Sequence, residues 1–251
     1  HEKQKMEIGV TVLPDFNKDT TDRNRTSPFA FTGNKFEFRS LGSNDSIACC
    51  NIMLNTAVAE ELSQFADQLE GSKDINKAVH DLVLKTIKEH KRIIFNGNGY
   101  SDEWVKEAEK RGLMNLKTTP DALAHLCDKK NADVLKKHGI FNDVELKSRY
   151  EIYNDNYTKV INIEALTMID MTKKLYLPAA SAYGKKLADS VTVKTSIGVD
   201  STYETDVAKT AGKLTASIFN KVQTLEKAIA AAKDVTEADK AAVYYKESVI
   251  P

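Results

Sequence analysis

Four cations gather around one carboxylate early in this chain: Arg23, Arg25, Lys35 and Arg39 around Glu37. Arginine presents a planar fork of donors that grips phosphate or carboxylate through two bonds at once. A carboxylate among them supplies an oxygen ligand for a hard divalent cation. Together these residue types suit an anionic, metal-bearing substrate. The spacing Lys35, Glu37, Arg39 also fits an ordinary solvated strand face whose charges screen one another. Spacing alone favours the second reading, and the two loop arginines just before them move the balance to the first.

The segment FAFTGNKFEFR must position these groups. With Gly33-Asn34 as a two-residue hairpin turn, Phe31 faces Phe36, Ala30 faces Glu37 and Phe29 faces Phe38. Alternation then puts all four phenylalanines on one side of the ribbon, and Lys35, Glu37 and Arg39 on the other. Successive charges stand about 7 Å apart, two residues of strand rise. Met6 to Leu13 is a further strand candidate, and Ile93 to Phe95 a short one. The remainder reads as helix. Leu54, Val58, Leu62, Phe65 and Leu69 keep helical spacing in a helix that looks buried behind Cys49-Cys50, and Val79, Leu82, Val83 and Ile87 repeat the pattern. Ser101, Thr119 before Pro120, and Asn142 with Glu145 read as helix starts. Pro178 is expected to interrupt or end a helix. From Val207 to Ala232, apolar residues recur every three or four positions, a seam for a partner helix.

Composition narrows the function classes. The 251 residues carry 36 basic and 36 acidic side chains, a net charge of zero. That balance argues against a general nucleic-acid or anionic-membrane binder, and no apolar stretch has the length of a membrane span. Three cysteines, two of them adjacent, imply no disulfide framework and suit a reducing, cytoplasmic setting. The first residue is histidine, and both ends read as those of a piece of a longer chain. His125, Cys127 and His138 match no zinc spacing. The Asn96-Gly97-Asn98-Gly99 loop lacks the glycine and lysine pattern of a phosphate loop and reads as a turn.

Asn24-Arg25-Thr26-Ser27, then Lys35-Phe36-Glu37-Phe38-Arg39, then SIACCNIMLNTAVAEEL resemble the C-terminal half of a glutamine synthetase catalytic domain. There an NR(S/T) loop precedes an R-x-E-x-R strand and a helix. The wording is most similar to the long type III enzymes, and TTPDALAHL, HGIF and NIEALTMIDMTKKLYLP extend the likeness over nearly the whole chain. The resemblance implies ATP-dependent ligation of ammonia to glutamate through a glutamyl phosphate, with Mg²⁺ or Mn²⁺, in large ring-shaped homo-oligomers. It implies that Glu37 binds metal, that Arg39 contacts glutamate and the transferring phosphoryl group, and that Arg25 steadies the ATP phosphates. Lys35 stands where many members have arginine at a nucleotide contact. It keeps the charge and loses the fork. The family's other metal ligands lie upstream of the NR(S/T) loop and are not in these residues, so the chain alone is expected to be inactive.

The fold class expected is α+β and mainly helical: residues 1–70 as part of the catalytic core with its β-hairpin, 71–145 mixed and mostly helical, 146–251 a helical region with long antiparallel helices. A non-catalytic helical scaffold or oligomerisation module is the alternative, and a sensor that binds nucleotide or glutamate without turnover is a third.

Overall fold

A computed structural model describes residues 45–95 and 101–251 together with Gly42, Gly99 and the backbones of four short strands. The strands are β1 (Lys5–Met6), β2 (Phe16–Asn17), β3 (Phe29–Phe31) and β4 (Phe36–Phe38). β1 pairs antiparallel with β2, and β3 with β4, in two separate ribbons. Phe29 lies opposite Phe38, Ala30 opposite Glu37 and Phe31 opposite Phe36, the register written from the sequence.

The α+β expectation is nevertheless overturned. Fold class follows from which layers bury apolar faces against each other, and the described burial is helix on helix. Ribbons of two and three residue pairs make no layered sheet, and an isolated two-stranded ribbon is marginal by itself. The Ile93 to Phe95 strand candidate is also replaced, because Lys91–Ile93 forms a 3₁₀ turn.

Contacts divide the chain into two units, His1–Asn115 and Leu116–Pro251. In the first, α1 (Ala48–Leu69) and α2 (Ile75–Glu89) form a helical hairpin, and α3 (Asp102–Lys110) follows the 3₁₀ turn. Asp74 caps α2 by accepting from the Lys77 N–H at 3.1 Å, and Ser101 caps α3 by accepting from Trp104 N–H at 3.3 Å. Helix α1 is not the buried helix its spacing suggested. Thr56 is its one buried residue, while Val58 and Leu62 are 56% and 61% exposed.

The second unit packs densely. It comprises α4 (Thr119–Leu123), α5 (Lys129–Lys137), α6 (Asp143–Met171), α7 (Leu177–Ser196), α8 (Thr202–Ala232) and α9 (Ala238–Tyr244). Asn142 and Glu145 form the expected capping box, each side chain bonding the other's backbone N–H. The cap of α4 is one residue earlier than expected: Thr118, not Thr119, accepts from Asp121 N–H.

Pro178 does not end its helix. A π turn at Thr172–Tyr176 joins α6 to α7, with the Leu177 N–H bonding the Thr172 carbonyl five residues back. Proline has no N–H, and in a regular helix its ring would press on the carbonyl of residue 174. Widening the turn just before it accommodates both, so the helical run continues from Asp143 to Ser196.

Helix α8 then folds back along α7. Gly198, at φ +71, allows the reversal, with Val199 N–H bonding the Lys194 carbonyl at 2.9 Å. Lys194 pairs with Glu204 at one end of this hairpin and Lys173 with Glu226 at the other. The seam expected from Val207 to Ala232 is therefore partnered in part, since Leu214 and Ile218 are 59% and 42% exposed. Its C-terminal part, Val222, Ile229 and Ala232, joins Ala165 and Ile169 of α6 and Tyr245 and Val249 of a second π turn, Tyr245–Val249, in the core.

Candidate functional site

Arg25, Lys35 and Arg39 lie outside the described residues. The backbone of Glu37 is described: it sits in the middle of β4, paired with Ala30 of β3. Of the residues expected to bind ATP, glutamate and metal, the structure thus fixes one strand position.

Mg²⁺ and Mn²⁺ take about six oxygen-rich ligands. Among the described residues no three His, Cys, Asp or Glu side chains form a group that could hold a metal ion. The described donor set therefore does not fit such a metal, and Glu37 alone cannot complete one. The His125 and Cys127 neighbourhood is likewise no metal site: His125 Nδ1 is 2.8 Å from Asp128 Oδ2, and Cys127 is exposed. Partial desolvation of the sulfur, with Asp128 beside it, pushes the Cys127 thiol pKa up, opposite to what a nucleophile needs.

Three polar clusters organise the described helices, none of them singled out by motif. In the first unit, Arg111 Nη1 donates to the carbonyls of Arg92 and Ile94 at 3.3 and 3.1 Å while its Nε pairs with Glu107 at 2.7 Å. Trp104 stacks on Phe95 at 3.9 Å between centroids, with the Arg111 guanidinium 5.5 Å from its ring. This clamp holds the 3₁₀ turn against α3 and takes the place of a strand partner for Ile93 to Phe95.

In the second unit, Lys246 donates to Asp121 at 2.7 Å and Thr118 Oγ1 to the other carboxylate oxygen at 2.6 Å. Lys246 first and Thr118 second hold the Asp121 carboxyl below the usual range, and Asp121 in turn raises Lys246. The pair latches α4 to the π turn after α9. Beside it, an open cleft of about 270 Å³ lies between α4, α6 and α9, with Asn154 and Tyr150 in its lining. Asn154 is 1% exposed, and its Nδ2 donates to the Tyr150 carbonyl at 3.0 Å. Tyr150 OH donates to Asp239 at 3.3 Å, and burial pushes the Tyr150 phenol up. No nucleophile and base stand together here, so the cluster reads as packing. Its sequence signal is that Asn154 interrupts the series Leu146, Tyr150, Tyr157, Ile161, Ala165, Ile169 at helical spacing.

Comparison with known proteins supplies the family. Residues 78–195 match the glutamine synthetase C-terminal domain. The chain is 43% identical over 189 residues to a type-3 glutamine synthetase of Dictyostelium discoideum, covering 74% of this chain and 26% of that protein. It is 40% identical over 245 residues to a glutamine synthetase of Butyrivibrio fibrisolvens, covering 94% of this chain and 34% of the relative. A glutamine synthetase of Bacteroides fragilis (strain YCH46) is 34% identical over 245 residues, with coverage of 96% and 33%. The chain thus spans about a third or less of the length of these curated relatives. It belongs to the glutamine synthetase family, as a portion that carries the family's C-terminal domain.

Proposed function

We propose that this chain is the C-terminal portion of an ATP-dependent glutamate–ammonia ligase, supplying part of an active site and a helical region. The observation that carries the reading is Glu37 on β4 within Lys35-Phe36-Glu37-Phe38-Arg39, preceded by Asn24-Arg25-Thr26, in a chain of this family. Glutamate, ammonia and ATP are the substrates in this reading. Phosphoryl transfer is mostly positioning and neutralisation of charge, so Arg25 and Lys35 steady the nucleotide phosphates while Arg39 holds glutamate and the transferring group. Glu37 is one ligand of a Mg²⁺ or Mn²⁺ site whose other ligands come from the part of the relatives' length that this chain does not span.

In the same reading residues 1–70 belong to the catalytic core, 71–145 to a mostly helical connection and 146–251 to the helical region. The protein works in the cytoplasm as a homo-oligomeric ring. No described helix is long and apolar enough to cross a membrane.

The test uses the longest protein that contains this chain. Glu37→Gln and Arg39→Ala should each lower glutamine formation by about a hundredfold or more while leaving assembly size unchanged. The 251-residue chain alone should make no detectable glutamine. Wild-type rates in both variants would favour the second reading, a helical scaffold, whose support is the self-packed second unit.

A further inference from the structure

Helix α2 carries an apolar ridge that nothing described covers. Ile75, Val79, Val83 and Ile87 follow one another at intervals of four and are 52, 40, 52 and 52% exposed. At about 100° per residue, Lys77, Asp81, Lys85 and Lys88 lie about 140° or more round the axis from the middle of this ridge and Glu89 about 100°, while the uncharged Asn76 falls within it. Ala78, Leu82 and Thr86, half-buried, occupy the adjoining flank in this hairpin with α1. The ridge is thus free of charge and open to solvent, the composition of an interface core.

Its sequence also says what fits it. Read backwards about Asp81, the ridge is unchanged, isoleucine, valine, valine, isoleucine. Beyond its ends stand Lys73 and Glu89, equidistant from Asp81 and opposite in charge. A two-fold contact requires such self-complementarity, because residue i meets j and j meets i. We infer that α2 is a contact between two copies of this chain, laid antiparallel across a two-fold axis. Ile75 of one copy then meets Ile87 of the other, Val79 meets Val83, and Lys73 approaches Glu89 at both ends. A ridge of i±4 residues packs against its own copy with the helices crossing near 50°. Four side chains per copy make a small contact, so the association is weak and concentration-dependent. It rests on the assembly reading above and owes nothing to the catalytic one.

Sedimentation of the longest protein that contains this chain, over a concentration series, tests it, with far-UV circular dichroism to confirm that each variant is folded. The wild type should self-associate, and Val79→Asp with Val83→Asp should weaken association about tenfold or more. Lys85→Glu, on the far side, should leave it unchanged. Lys73→Glu alone should weaken it, and adding Glu89→Lys should restore it, a rescue that general loss of folding cannot imitate. A wild type that stays monomeric throughout overturns the inference. So does self-association that ignores both the ridge and the charge variants, which would leave the assembly reading standing and move its surface elsewhere.

Discussion

The two units of this chain use the same kind of helix to opposite ends. In Leu116–Pro251, α6, α8 and the π turn after α9 bring Ala165, Ile169, Val222, Ile229, Tyr245 and Val249 into one buried cluster. In His1–Asn115, α1 and α2 have apolar residues at equally regular spacing, yet among the described residues of both only Thr56 is buried. Periodicity says that a helix has a face; it does not say which element meets it. The second unit closes on itself because α8 and α9 return along α6 and α7. The hairpin of the first unit offers its face outward.

That difference is open to direct attack by substitution. The largest effect is expected at Ile169, where truncation to alanine removes buried methyl groups from the α6–α8 core. Ile169→Ala should cost about 2–5 kcal/mol in denaturant unfolding of the second unit. Tyr245→Phe comes next. Its hydroxyl donates to Asn162 Oδ1 at 3.0 Å from a largely buried ring, and losing that bond should cost about 1 kcal/mol.

The Asp121–Lys246 latch gives a pH effect confined to α4. The carboxyl of Asp121 is held below its ordinary 3.8, so its contribution is complete above that value and is lost as pH falls through the lowered one. Lys246 is raised above 10.5, so its share is present below that value and is lost as pH rises through the raised one. Amide exchange in 119–123 should therefore accelerate at both extremes and be slowest between them. A flat profile would deny the latch any role. The smallest effect belongs to the open face: Val83→Ala, in dilute chain, should change stability by about 0.5 kcal/mol or less. A loss near that of Ile169→Ala would mean that the ridge is buried after all.

Much of the helical architecture was legible in local chemistry. The capping box at Asn142, the start of α3 at Ser101 and the return of the Val207 to Ala232 seam are carried by short-range spacing, and each stands where the residues put it. Pro178 interrupts the helical run without ending it, because its lost donor and ring clash are absorbed by one π turn. The β-hairpin unit misled. Alternation in FAFTGNKFEFR writes a correct register for β3 and β4, but a register is not a layer, and the fold class is set by the packed helices. Of the site, Glu37 can be placed at the centre of β4, while the Arg111–Trp104 clamp was illegible and Asn154 showed only as a polar break in an apolar series. Arg111 reaches carbonyls 19 and 17 residues back, and Tyr150, beside Asn154, meets Asp239 89 residues on, both beyond the reach of any local motif.

The contrast between a unit with a buried apolar cluster of its own and a described helical hairpin that buries only Thr56 is tested most directly by native-state hydrogen exchange across the whole 251-residue chain at low concentration. Amides of α6, α8 and α9 should be protected to the level of global unfolding, and those of α1 and α2 should exchange by local opening at far lower free energy. Equal protection in α1 and α2 would contradict this, because it would mean that their faces are already covered within the chain.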